Sequence, residues 1–345
     1  MYSIVLTKRN YLLFNKKIPL SVTVLFMLLT GLAVYYFFPR PPEVVIVNSK
    51  NDCPQKMNQV RLNDYKFTHP LMFADLPNEN EELMGLKEKI IQLIAEDKSL
   101  NRLSDISVYF RKMDDGSWFI INGDKTYTPA SLMKVSFLIA ILKQVGSDPG
   151  LLHKKIYFAK HFPDGFSQNI KNFTLKENKY YTIKELLHDM IVYSDNDALT
   201  LISTMTDATV FSKLFTDLGV VSPPIDPFKS MGYVVTIADY CKLFRILYNS
   251  GYLTDENSEF GLSLLAQSTY KEGFLKDINP GFPVAHKFGE RVYGGLQQLH
   301  EIGIFYSEPE PYLLGVMSEG KNLKELSTVL SQISKLVYQN YTKGI

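Results

Sequence analysis

The sequence predicts an α+β domain built on an antiparallel sheet, flanked by its terminal helices, interrupted by a large all-α insert and preceded by an N-terminal transmembrane helix. Three observations lead to this class. Residues 20–38 form an apolar run without a charge. Strand-like alternation occurs near both ends of the remaining chain, and helical periodicity dominates the stretch between them. Strands so far apart in sequence share one sheet only if the helical block is an excursion from it. Such an excursion makes a second lobe and leaves a cleft.

At the N-terminus, residues 1–18 carry Lys8, Arg9, Lys16 and Lys17 and no acidic residue. The following segment, assigned as 19–38, contains LSVTVLFMLLTGLAVYYFF. As a helix this run spans about 28 Å, close to the hydrocarbon thickness of a bilayer. The basic flank places the N-terminus in the cytoplasm and the rest of the chain outside, and Tyr35 to Phe38 suit an interfacial aromatic belt. No small-x-small site follows the run, as a cleaved signal peptide would require, and Cys53 lies too far along to be a lipid attachment point. The expectation is a single-pass, uncleaved anchor with an extracytoplasmic domain. Residues 39–78, rich in proline and asparagine, read as an extended linker in which Val44–Val47 could add a short strand.

The domain is expected over 79–345, long enough for a substantial core. Leu83, Leu86, Ile90 and Ile94 recur at helical spacing and predict a helix over 80–97. Ile106, Val108 and Phe110 alternate, Asp114-Asp115-Gly116 makes a turn, and Trp118 and Ile120 alternate again, which predicts a hairpin. From 131 to about 270 the pattern is predominantly helical. Thr182 and Glu185 form a capping box ahead of Leu186, Leu187, Met190 and Ile191. Strand-like runs return at 282–288, 301–306 and 312–317. The last helix places Leu323, Leu326, Leu330, Ile333 and Val337 on one face.

The 37 basic and 36 acidic residues leave a net charge of +1, so bulk electrostatics give no support to nucleic-acid binding. The two cysteines, Cys53 and Cys241, form no ligand-spaced pair, and the six histidines form no HExxH motif. A phosphate-binding glycine loop is also missing. No metal or other cofactor is expected.

Chemistry is suggested by three stretches. Ser131-Leu132-Met133-Lys134 is one of three SxxK matches, beside Ser268/Lys271 and Ser318/Lys321, and the only one whose serine opens an apolar helix. There the helix dipole favours developing negative charge, and apolar surroundings lower a lysine pKa. The plainer reading makes Ser131 a helix cap and sends Lys134 to solvent. Ser194-Asp195-Asn196 follows the capped helix and is, by itself, ordinary turn chemistry. Val284-Ala285-His286-Lys287-Phe288-Gly289 closes a short strand with lysine and glycine.

Taken together and in this order, the three stretches resemble the active-site elements of penicillin-recognising serine enzymes, particularly class A β-lactamases. The resemblance covers roughly residues 80 to 342 and implies a β-lactamase/transpeptidase-like fold. It implies Ser131 as the nucleophile, Lys134 as its proton acceptor or as the holder of the network that takes the proton, and Ser194 as the route of a proton to the leaving nitrogen. Asn196 would hold a substrate amide, and Asp195 would brace the loop. Lys287 would set a positive potential and attract a substrate carboxylate. The backbone N–H groups of Ser131 and Glu290, beside Gly289, would form the oxyanion hole. Substrates would be β-lactams or the D-Ala-D-Ala ends of peptidoglycan stems.

Two departures stand out. Phe288 occupies a position where the family has Thr or Ser, whose hydroxyl meets the substrate carboxylate; Arg291 could supply that contact, or could be a solvated surface arginine. The loop Val220–Val235 is short and has no glutamate to hydrolyse an acyl-enzyme; its one acid is Asp226, which also fits a turn role. These departures leave open a slow β-lactamase, a DD-carboxypeptidase or transpeptidase, and a non-catalytic cell-wall-binding relic.

Overall fold

Two hydrophobic cores, one on each face of a five-stranded antiparallel sheet, organise the domain. The computed structural model describes residues 57–62, 66–68, 70–162, 173–227, 229–293, 295–308 and 310–341. The expected cytoplasmic segment, the anchor at 19–38 and the Val44–Val47 strand lie outside the described residues. Among the described residues no helix is long and apolar enough to cross a membrane.

In chain order, β1 (Asn58–Arg61) and β2 (Leu71–Asp75) form a hairpin, and a 3₁₀ turn leads into α1 (Met84–Ser99). β3 (Asp105–Lys112) and β4 (Trp118–Ile121) form the expected second hairpin. The insert holds β5 (Thr126–Tyr127), a 3₁₀ turn at Ala130–Met133, α2 (Lys134–Val145), β6 (Lys155–Phe158) and β7 (Lys179–Thr182). It continues with α3 (Ile183–Val192), α4 (Asn196–Met205), α5 (Ala208–Asp217), β8 (Val235–Thr236), α6 (Ile237–Tyr248) and α7 (Asp255–Ala266). The chain returns to the sheet with β9 (Val284–Tyr293), β10 (Leu296–Phe305) and β11 (Tyr312–Gly320), and α8 (Leu323–Tyr341) follows.

The sheet order is β4-β3-β11-β10-β9, so strands from both ends of the domain are neighbours at β3–β11. Period-two alternation sends Ile106, Val108 and Phe110 to the face covered by α1 and α8. That face also takes Leu326, Leu330, Ile333 and Val337, the stripe expected on the last helix. Tyr109, Leu313 and Met317 point the other way, into the core shared with the helical insert. The capping box is present: Thr182 Oγ1 accepts from the Glu185 amide at 3.1 Å, and the Thr182 amide donates to Glu185 Oε2 at 2.7 Å.

Three expectations need correction. The strands expected at 282–288 and 301–306 extend to Val284–Tyr293 and Leu296–Phe305. Their outer halves mix Glu290, Arg291, Gln297 and Gln298 with exposed Val292, Tyr293 and Leu296, so no buried alternation marks them, while backbone pairing with Tyr293 opposite Leu296 continues. Gly295, at φ +82°, closes this hairpin in a conformation that favours glycine. The helical block also contains two short ladders, β5–β8 and β6–β7, whose partners are too distant in sequence to show as local alternation.

The third correction concerns the linker expected at 39–78, part of which is the folded β1–β2 hairpin. Met72 and Phe73 are buried. Asp75 accepts from Arg111 Nη1 at 2.9 Å and from Arg245 Nη2 at 2.6 Å, and Arg245 also lies over the Phe73 ring. Arg111 and Arg245 are themselves buried, so removing Asp75 strands two guanidinium groups. Asp75→Ala is therefore expected to destabilise the domain by roughly 3 kcal/mol, seen as a lowered denaturation midpoint with unchanged slope. A loss within about 0.5 kcal/mol would show that water replaces the carboxylate.

Candidate active site

Ser131 lies not in the first turn of an α-helix but in the 3₁₀ turn that feeds α2. The residue before it, Ala130, is held at φ +51°, a conformation that costs a non-glycine residue energy. Ser131 makes no cap, because neither the 3₁₀ turn nor α2 has a side-chain N-cap bond. Lys134 does not reach solvent, as it is 0% exposed. The plainer reading of this segment is thereby excluded.

The lysine is used internally. Its Nζ lies 2.8 Å from Ser131 Oγ, 2.7 Å from Asn196 Oδ1 and 3.3 Å from Ser194 Oγ. Burial drives its pKa down to about 7, against the opposing attraction of Asp195 and Glu290. Near neutrality a large fraction is therefore the free amine, which can accept a proton from Ser131.

The Ser-Asp-Asn stretch is shaped by its own backbone. Ser194 sits at φ +59° and is fully buried. Asp195 caps α4, its Oδ1 accepting from the Ala198 amide at 2.7 Å. Asn196 starts the helix and points its carbonyl oxygen at Lys134.

Lys287 reaches the same cluster from the sheet edge. Its Nζ donates to Ser194 Oγ at 2.9 Å and to the Phe288 carbonyl at 3.0 Å. Burial lowers its pKa well below the usual lysine value, and the nearby Lys134 adds to that. Ser194 thus bridges two lysines whose joint protonation is disfavoured, an arrangement suited to passing a proton. Gly289 explains how close strand and turn come: a Cβ there would meet the Pro129 carbonyl oxygen at 2.6 Å and the Leu132 amide at 3.0 Å. Only glycine lets β9 lie this near the Ser131 turn, with Glu290 next along the strand.

A cavity of about 520 Å³ opens over Ser131, Lys134 and Asn196, with Glu290 and Arg291 on its strand side. Ser194 and Lys287 lie beneath the surface, fully buried. Phe288 is 4% exposed and stacks on Tyr270 at 4.1 Å, away from the cavity lining.

The cavity's far wall is Met133, Phe137, Leu199 and Pro227, with Ser230 and Gly232 beside it. The last three of these positions come from the short loop, which is pinned beside the Ser131 turn by Tyr127 pairing with Val235. Asp226 does not line the cavity. Its backbone oxygen accepts from the Lys229 and Ser230 amides, and its carboxylate lies 3.6 Å from Lys229. It is a turn residue.

Thr128 and His300 were missed from sequence. Arg291 Nη1 donates to Thr128 Oγ1, and His300 Nε2–H donates to the Thr128 carbonyl at 3.0 Å. The Ser318 amide donates to His300 Nδ1, and burial lowers the His300 pKa to about 4, so the ring is neutral. Neither Thr128 nor His300 belongs to a motif, and His300 lies just before the strand expected at 301–306. Among the described residues no group of His, Cys, Asp or Glu could hold a metal ion.

The family model described as the beta-lactamase enzyme family matches residues 85–341. No curated protein sequence matches the chain. Among solved structures, a leucine-to-glutamate variant of PBP-A, captured as an acyl-enzyme with penicillin G, superposes with a TM-score of 0.63 at 22% identity. That match covers 78% of this chain and 100% of the other. A β-lactamase from Chitinophaga pinensis gives 0.62 at 18% identity, covering 74% and 99%. The TLA-1 extended-spectrum β-lactamase gives 0.62 at 16%, covering 72% and 98%. At such identities these structures establish the fold alone. The family match runs from α1 through α8, and on that extent the chain belongs to the beta-lactamase enzyme family and has the fold of a serine hydrolase.

Proposed function

We propose that the protein is a membrane-anchored serine acyl-transfer enzyme, acylated at Ser131 by β-lactam rings or D-Ala-D-Ala-type amide bonds and slow to release the acyl group. The observation that carries this reading is a buried lysine, with its pKa near 7, within 2.8 Å of a half-buried serine hydroxyl at the floor of an open cavity. In the acylation step the Lys134 amine takes the Ser131 proton and Oγ bonds to the carbonyl carbon. The carbonyl C–N bond breaks as the nitrogen receives a proton through Ser194 from the lysine cluster. The amides of Ser131 and Glu290 would hold the oxyanion.

Release of the ester needs an activated water. The loop contributes Pro227, Ser230 and Gly232 to the cavity and no carboxylate; Glu290, on the opposite strand, is the only described lining residue with one. General-base assistance is worth about 10² to 10⁴ in rate, so its absence leaves a long-lived acyl-enzyme. Stopped-flow kinetics with a chromogenic cephalosporin should show a burst of one equivalent, then release well below about one per second, a rate low in the enzyme range. Sustained faster turnover would overturn slow release; its loss in Glu290→Gln or Asp226→Asn would identify the base. The absence of a loop base equally favours a DD-peptidase, whose natural acceptor need not be water.

The anchor rests on the charge-free run at 20–38 and its basic flank. Protease added outside intact cells, with any outer membrane permeabilised, is expected to digest the domain. A protected domain would refute this topology.

A further inference from the structure

A second cavity, of about 440 Å³, is walled by β7, the first two turns of α3 and the residues just before β7. It shares no lining residue with the cavity over Ser131. Three of its lining residues are Lys176, Lys179 and Lys184. Their ammonium groups donate no hydrogen bond to a carboxylate among the described residues; Lys179 lies 4.7 Å from the Tyr181 ring centroid and Lys184 5.7 Å from that of Phe260. Tyr181 is 5% exposed, and its hydroxyl accepts from the Lys176 amide at 2.8 Å and donates to the Lys176 carbonyl at 3.2 Å. One buried ring thus folds the chain at Lys176 onto the cavity and seats the Lys179 ammonium. The two acids of the lining are engaged elsewhere. Glu185 Oε2 accepts from the Thr182 amide and hydroxyl at 2.7 and 2.8 Å, and Asp189 Oδ1 lies 3.0 Å from His188 Nδ1. Lys155, opposite Thr182 in the β6–β7 ladder, adds positive charge beside Glu185. Three ammonium groups with no carboxylate to neutralise them suit a ligand with more than one negative oxygen. A phosphate group, with close to two charges at neutral pH, meets that need better than a single carboxylate.

The same cavity touches the loop that carries Ser194. Phe173 and His188 line it, and between them they hold Tyr193: Phe173 stacks on that ring at 4.4 Å and 16°, and His188 meets it edge-on at 5.4 Å. The backbone oxygen of Asp189, another lining residue, accepts from the Tyr193 and Asp195 amides at 3.3 and 3.1 Å. Tyr193 directly precedes Ser194, whose strained φ of +59° sets its hydroxyl between Lys134 and Lys287. We propose that this cavity is a second binding site, for a phosphate-bearing ligand, and that its occupancy steadies the Tyr193 clamp and speeds acylation of Ser131. The binding stands on the cavity alone; the effect on rate rests on the acylation proposed above.

The test titrates the full-length protein in neutral detergent with inorganic pyrophosphate by calorimetry, at constant ionic strength. Saturable binding is expected, weakened about 10-fold or more when Lys176, Lys179 and Lys184 are all changed to Gln, and kept within about 3-fold when all three are changed to Arg. If the triple Gln variant does not fold, Lys176→Gln alone, outside any helix or strand, should still weaken binding by about 3-fold. No saturable binding, or binding indifferent to these lysines, overturns the site and leaves a solvated basic face. Short-chain phosphatidylglycerol in place of pyrophosphate separates the sources: tighter binding of the lipid supports a headgroup site, and binding of pyrophosphate alone supports a free phosphate. Acylation by a fluorescent penicillin should then rise by about 5-fold with saturating pyrophosphate in the wild type and the Arg variant, and not in the Gln variant. An unchanged rate with pyrophosphate bound overturns the coupling, and inhibition that persists in the Gln variant places the anion in the cavity over Ser131 instead. If no penicillin acylates the protein, the failure lies with the proposed acyl-transfer function, and the calorimetry still decides the site.

Discussion

Ser131→Ala is expected to abolish covalent capture of a fluorescent penicillin while leaving the fold intact. The hydroxyl is the only one in the cluster that is both beside a lysine amine and open to the cavity: Ser194 is fully buried, whereas Ser131 is half-buried and lines it. Removing it deletes the group proposed to form the ester, so the expected effect on labelling is complete. Stability should change little, because the hydroxyl makes no cap and its bond to Lys134 is matched by those to Asn196 and Ser194. The gel readout is a lost band with an unchanged denaturation midpoint. Labelling that persists in Ser131→Ala, or vanishes only in Ser268→Ala, would move the nucleophile elsewhere. Ser268 is 2% exposed and does not line the cavity, so neither result is expected.

The second large effect should come from Lys134. Lys134→Ala removes the proton acceptor, and acylation is expected to fall by about 10² to 10⁴, the usual worth of general-base assistance. The pH dependence tests the role more sharply. Burial disfavours the charged form, so this lysine loses its proton at about 7 instead of near 10.5. The free amine is the competent form: acylation should rise as pH increases through about 7 and fall away below it. Lys134→Arg keeps a cation that cannot deprotonate in this range and should stay slow at every pH. Acylation rates of the wild type across neutral pH decide the matter. A flat profile, or a midpoint near that of an ordinary lysine, would mean that Lys134 only positions Ser131 and another group takes the proton.

Much of the architecture was legible because it is written locally. The alternation of Ile106, Val108 and Phe110, the Thr182–Glu185 box and the stripe from Leu326 to Val337 each depend on neighbours within a few residues. The three motif stretches were legible for a different reason. Ser131 and Lys134, Ser194 to Asn196, and Lys287 with Gly289 are residue types whose chemistry needs short fixed spacings inside each piece. Their convergence was an expectation of the resemblance, and the contacts among Lys134, Ser194 and Lys287 are what the fold supplies.

What the sequence hid were relations between distant segments. Asp75 looked like a polar residue in a linker until Arg111 and Arg245 enclosed it. Thr128 and His300 carry no motif, because their role is to hold Arg291 across a strand-to-turn gap that does not exist in the unfolded chain. Phe288 read as a missing hydroxyl; the stack with Tyr270, a residue from the end of the helical insert, makes it part of the core on the α1/α8 side of the sheet. By itself, then, the sequence determined the element types, the sheet's two flanking layers and the candidate nucleophile with its lysine, since periodicity and short spacing are local properties. Only the tertiary structure decided that Lys134 is buried beside Ser131, that Asp226 is not among the residues lining the cavity and that Lys287 is buried. Desolvation and enclosure depend on which distant side chains exclude water from a site, and no local pattern records that.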